Sequence, residues 1–413
     1  MPSLKYHFEC TDCGAIYTDN FLYLCPKCAA LNKDGQPPAG VLKTVYNYHK
    51  IKALNQTSTW NSLKQAGFID LLPIQSMQSF GYLRVGHTPV YSIDANINVE
   101  LFIKDDSQNP TFSFKDRASA LVSAYAKEND LNILVAASTG NAGSSLAGIC
   151  ASQSQKAVII VPENVPSAKL VQIIMYGAIP VLVKGNYDTA FDLSLKATEV
   201  FGWHNRNTAY NPFTIEGKKT VAFEIFDRFG EHLPDYIFVP VGDGVIIAGV
   251  YKGFEDLLKL GVISKIPTIV SVQSTQSCNL NTNLTRNSFA YVPATTLADS
   301  ISVDVPRNFL MAKKFLLTYN GESINVSDHE IVKASSLLAK TTGIFAEPAA
   351  SAAYAGFLKF KNENRFKDGS RALVLLTGSG LKDLKTALNA VKLPEPIEPT
   401  PTALDNYLQN SLL

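Results

Sequence analysis

A chain of 413 residues, 46% of them hydrophobic, is long enough to bury a large core and to divide into two or more domains. Its 37 basic and 36 acidic residues leave a formal net charge of +1, which excludes a bulk electrostatic case for binding nucleic acid or a membrane surface. No apolar run reaches the length of a membrane span, and MPSLKYHFECTDCG has neither signal-peptide nor transit-peptide character, so a soluble, cytoplasmic protein is expected.

The first predicted unit, residues 1–40, is a zinc-ribbon-like segment. Cys10, Cys13, Cys25 and Cys28 spell C-x2-C-x11-C-x2-C, and two such knuckles place four thiolates around one structural zinc. The other reading is a metal-free remnant with reduced thiols. Between the knuckles, AIYTDNFLYL is apolar and acidic, suited to packing on a partner surface and not to nucleic acid. Cys150 and Cys278 lie outside the pattern and read as structural. Residues 41–95 carry short helical patterns, then GHTPVYS and a strand near Val90. From about residue 100 the pattern alternates. LFIKD, NILVAAS, AVIIVPE, IPVLVKG, DYIFVPV, TIVSVQS and ALVLLTG are short apolar strands, and FKDRASALVSAYAKEN, NAGSSLAGICASQS and SAKLVQIIMYGA are helices between them. That alternation predicts an α/β fold with doubly wound sheets. The chain closes on the Pro-rich PEPIEPTPTA and a short helix.

Four blocks carry chemistry. Ser113–Ala120, SFKDRASA, follows NPTF and presents Lys115 at the start of a helix. A lysine acts as a Schiff-base nucleophile when burial or a nearby cation depresses its pKa, and here Phe112, Phe114 and Arg117 are the expected suppliers. The plain alternative is a surface lysine at a helix N-terminus. Next come Ser138–Gly143 (STGNAG), Val239–Val245 (VPVGDGV) and Leu376–Asp383 (LTGSGLKD). The glycine turn after DYIFVPV opens a helical run, which makes Val241, Gly242, Asp243, Gly244 and Val245 a candidate anion cradle; a lone GDG is otherwise only a turn.

The order of these blocks resembles the fold-type II enzymes that use pyridoxal phosphate (PLP), most closely the threonine synthase group, from about residue 70 to 390. The resemblance implies a large PLP-binding domain (41–125 and 205–395), a small mobile α/β domain (126–204) and a tail (396–413). It implies that Lys115 binds PLP and serves as catalytic base, that the 241–245 turn cradles the cofactor phosphate, and that Asn141 meets the ring's phenolic oxygen. Thr377 would face the pyridine nitrogen, where a hydroxyl tempers the ring as an electron sink and favours elimination and replacement over transamination. Asn141 also reads as a helix N-cap, and Thr377 as a strand-end residue before a turn. Ser138 and Thr139 would bind the substrate, a small amino acid with a β or γ leaving group, in a homodimer.

Threonine synthesis from O-phosphohomoserine is the nearest activity; the alternative is a serine/threonine dehydratase or a β-replacement enzyme on a non-phosphorylated amino acid. The chain departs from the group where a second phosphate would sit. Ala142, Thr208, Ala209 and Asp243 replace polar residues of the pattern, Thr214 replaces its arginine, and Phe112 and Ala118 replace glycines beside the lysine. Asp243 is expected to disfavour a dianion in the pocket, unless its carboxylate turns away to cap the helix at Val245.

Overall fold

The computed structural model describes residues 4–54, 59–94, 98–165, 167–388, 391 and 393–411. Its strands are β1 (Tyr6–Cys10), β2 (Ile16–Tyr17), β3 (Leu42–Tyr46), β4 (Val90–Ile93), β5 (Val99–Asp105), β6 (Ile133–Ala137), β7 (Lys156–Pro162), β8 (Ile179–Val183), β9 (His204–Asn205), β10 (Tyr236–Pro240), β11 (Thr268–Ser274), β12 (Glu322–Val326) and β13 (Ser370–Leu376). They form three sheets, ordered β2-β1-β3, β12-β11-β10-β13-β5-β4 and β8-β7-β6-β9. The larger two are parallel apart from edge strand β4.

Burial explains which apolar runs took which place. The central strands β10, β11 and β13 are covered on both faces by helices, and almost all of their residues are buried. Edge strand β4 shows its middle residues, Tyr91 and Ser92, to solvent. Helix Lys115–Glu128 is interior along nearly all its length, and its run of Ala and Ser lets backbones approach closely. The closest approach is at Gly217, where a Cβ would stand 2.2 Å from the Arg117 carbonyl oxygen. On the opposite side Gly249 of helix Val245–Lys259 would place a Cβ 2.6 Å from the Lys218 Cβ. Segment 217–219 is therefore clamped between two helices, and only glycine fits at either contact.

The amino-terminal sheet uses β3, beyond residue 40, as well as the cysteine-bearing segment. It docks through aromatic side chains. The Tyr23 hydroxyl accepts from the Asn205 amide at 2.8 Å, lies 3.2 Å from the His204 ring nitrogen, and its ring stacks on Tyr210 at 4.4 Å. Phe21 packs on Phe213 at 5.2 Å and on Tyr125 at 5.4 Å. The ribbon is thus seated on the β9 end of the smaller parallel sheet.

Candidate active site

Both parallel sheets end, at the carboxyl edges of β6 and β10, on one cavity of about 970 Å³. That is where ligands bind in open α/β sheets. Lys115, Ser138, Thr139 and Asn141 line it, together with Val241–Val245 on the facing wall. The sequence-predicted groups are thereby brought together from segments more than 100 residues apart. Loop residues Asn32–Gln36 of the ribbon close part of the same wall, with Gly35 against the Tyr291 ring.

Lys115 opens helix Lys115–Glu128. Behind it, Asp116 accepts from the Thr111 amide at 2.7 Å and the Thr111 hydroxyl at 2.5 Å, which ties the NPTF turn to the helix start. Burial pushes the Lys115 amine below its ordinary value, opposed by the Glu347 carboxylate and assisted by the Arg206 guanidinium. Two expected suppliers of that effect are corrected by the structure. Arg117 turns away, its charge shared between Asp106 at 2.5 Å and Glu224 at 2.5 Å, in a buried network that also holds Lys104. Phe112 is 48% exposed and covers nothing; it has φ +65°, which is why glycine suits this position. Phe114 is fully buried, as the local pattern requires.

Opposite Lys115, helix Val245–Lys259 points its N-terminus at the cavity. Among the described residues no protein group accepts from the amides of Gly242 through Ile247. Unpaired amides at a helix start are an anion site, and here they fit a phosphate. Asp243 lines the cavity and does not cap the helix: its carboxylate accepts from the Arg307 amide at 3.2 Å, and its carbonyl from the Asn308 amide at 2.9 Å. Gly244 is the residue at the cap position, with no side-chain bond to the helix.

Asn141 starts helix Asn141–Ser152, and its side-chain amide donates to both oxygens of Glu347 at 3.0 Å. Glu347 is buried and its carboxyl is pushed up by that burial, against the Asn141 bond and Lys115. Thr377 is buried at the end of β13, its carbonyl accepting from the Phe114 amide at 2.9 Å. Three groups in or beside the site escaped the motif reading: Glu347, Arg206 and Lys218. The first sits in GIFAEPAASAAYAG directly before a helix-starting proline, a signal that was available. The two cations lay in NRN and GKK, which look like surface polarity until the helices close over them.

In the ribbon, the sulfurs of Cys10, Cys13, Cys25 and Cys28 all lie within 4.8 Å of one another. Cys10–Cys28 is 3.8 Å and Cys13–Cys25 is 3.9 Å. Four sulfurs about 2.3 Å from one tetrahedral ion would be separated by about 3.8 Å. The set fits zinc.

A lysine at the carboxyl end of a parallel sheet, faced by an amide cradle, defines an α/β enzyme built to hold a phosphorylated aldehyde cofactor. The chain belongs to the pyridoxal-phosphate dependent enzyme family, whose model matches residues 82–378. It is similar to the threonine synthase of Methanocaldococcus jannaschii, with 31% identity over 94% of this chain and 96% of that one. The threonine synthase of Halalkalibacterium halodurans is 33% identical over 83% of this chain and 95% of its own length. Among solved structures the fold is like that of threonine deaminase isoform 2 from Solanum lycopersicum, at a TM-score of 0.64 and 20% identity over 74% of this chain and 83% of that one. It is also like O-ureido-L-serine synthase, at 0.65 and 20% over 79% and 97%. No helix among the described residues is long and apolar enough to cross a membrane.

Proposed function

We propose that this chain converts O-phosphohomoserine to threonine with PLP. The observation that carries the reading is the meeting of the Lys115 amine, the free amides of 242–247 and two buried cations in one cavity. PLP, when bound, supplies an electron sink for the substrate's α-carbon. Lys115 would anchor the cofactor and, as a free amine, would take the Cα proton, a role suited to an amine held below its ordinary pKa. The 242–247 amides hold the cofactor phosphate, with the side of the cradle formed by Val241 and Val245. Asn141, steadied by Glu347, would meet the ring's phenolic oxygen, and Thr377 would serve the pyridine nitrogen. Ser138 and Thr139, at the start of the second helix facing the cavity, hold the substrate carboxylate.

The four cysteines hold one structural zinc, whose contribution is to the fold of the ribbon. The reading extends, on resemblance, to a homodimer in the cytoplasm, which sedimentation and cell fractionation test. The function is tested by supplying O-phosphohomoserine to the PLP-loaded enzyme. Threonine and inorganic phosphate are expected in equal amounts. Release of ammonia from serine or threonine, with no phosphate release from the phosphorylated substrate, would instead establish a dehydratase.

A further inference from the structure

Buried cations in this molecule are paired with carboxylates: Lys104 with Glu224, Arg117 with Asp106 and Glu224, Lys219 with Glu216 and Asp256, Lys252 with Asp256. Lys218 and Arg206 are the departure. They are 0% and 1% exposed, both line the cavity beside Lys115, and among the described residues neither has a carboxylate within ion-pair distance. The Lys218 ammonium reaches only the Thr208 hydroxyl, at a long 3.4 Å. Arg206 donates from Nε to the Ser119 hydroxyl at 3.1 Å and from one terminal nitrogen to the Lys115 carbonyl at 3.4 Å.

A desolvated charge without a partner is costly, so a wall holding two of them is built for an anion that arrives from outside. The positions are rigid. Gly217 and Gly249 clamp the Lys218 backbone and stem between helices, and its buried side chain lines the cavity. Asp243, the acid that faces this pair, already accepts from the Arg307 amide. Burial depresses both groups, Lys218 well below its ordinary value and Arg206 to about 10, and it outweighs the opposing carboxylates of Asp243 on the first and Asp116 on the second, neither of them in ion-pair contact.

We propose that Lys218 and Arg206 form the subsite that binds the phosphate of a phosphorylated amino-acid substrate. The proposal rests on the functional reading above and gives it residues: two charge-assisted donors in a chain whose Thr214 and Asp243 offer a substrate phosphate no cation. The cofactor phosphate is the other possible occupant of the same chemistry, and the free amides of 242–247 already provide for it.

The test uses the PLP-loaded enzyme, with inorganic phosphate as the probe. Calorimetry is expected to show phosphate binding to the wild type, competitive with O-phosphohomoserine and not with homoserine. Lys218→Gln should weaken that binding tenfold or more, and raise KM for O-phosphohomoserine with it, while PLP remains bound at wild-type stoichiometry. Arg206→Lys, which keeps the charge and loses the fork, should give a smaller loss. Competition on the wild type reads the site even if a variant fails to fold. Wild-type holoenzyme that binds no phosphate overturns the proposal. So does a Lys218→Gln variant whose affinity falls for PLP and not for the unphosphorylated aldehyde, which would assign the cation to the cofactor. Lys218-dependent phosphate binding without threonine formation would leave the subsite standing and overturn only the functional reading.

Discussion

Lys115 shares its surroundings with two groups of opposite sign, Glu347 and Arg206, and its burial outweighs both. Its amine is the one the motif places at the cavity, while neighbouring Arg117 is consumed by Asp106 and Glu224. Lys115→Ala is therefore expected to abolish turnover and the visible absorbance of lysine-bound cofactor. The far-UV circular dichroism should stay unchanged, because the lysine side chain makes no hydrogen bond to the rest of the fold among the described residues. Turnover retained by the purified variant would remove Lys115 from the role. At this scale the sequence was readable wherever chemistry is local: a lysine at a helix start, an Asn beginning the next helix, a glycine turn after a strand. It was unreadable for Arg206 and Lys218, whose character depends on helices packing from residues 115–128 and 245–259. The partner of Asp243 was equally out of reach, since the Arg307 amide it accepts from is 64 positions away.

Among the elements, the ribbon has the least core of its own. Its sheet has two-residue β2 at one edge, and the buried residues within its knuckles are chiefly the cysteines themselves. A unit so small needs a staple, which the four cysteines would supply by holding a tetrahedral metal. One zinc per chain is expected in protein purified without chelator. Substitution of Cys10 or Cys28, the two buried members of the closest pair, should release it and expose Tyr23 and Phe21 to quenchers. Metal content well below one per chain, with the ribbon still protected from proteolysis, would return the cysteines to ordinary thiols. The parallel strands were the most legible elements, because strands covered on both faces read as unbroken apolar runs. β3 was missed as part of the ribbon because its alternation of buried and half-buried residues looks the same whichever sheet it joins.

At the scale of the whole molecule, a buried histidine sits at the joint between the ribbon and the smaller parallel sheet. His204 is 3% exposed, lies between Tyr23 and Asn211, and burial pushes its pKa down to about 3. In the unfolded chain it titrates near 6.5. Below that value the unfolded state takes up a proton that the folded state refuses. The contribution of His204 is thus complete above pH 6.5 and is lost as pH falls towards 3, with a slope of roughly 1.4 kcal/mol per pH unit. Urea unfolding between pH 7 and 5 should show this loss in the wild type, and a shallower one in His204→Gln. Equal slopes in the two would mean that His204 is solvated in solution. The doubly wound α/β class was visible in the order of strands and helices. That the cavity should also be walled by residues near the amino terminus was not, since nothing local in NKDGQ marks it as facing Lys115.

That wall has a consequence for the order of events on the ribosome. Asn32–Gln36 leave the exit tunnel some eighty residues before Lys115, and well before Tyr125, His204 and Phe213 exist to receive the ribbon's aromatic face. A domain-by-domain folder must keep such an early segment in shape without its seat. The knot of Cys10, Cys13, Cys25 and Cys28 closes over a span of 19 residues, so it can set before the rest is made. With a metal held there, this segment would be a ready-shaped door, made ahead of the room whose wall it completes.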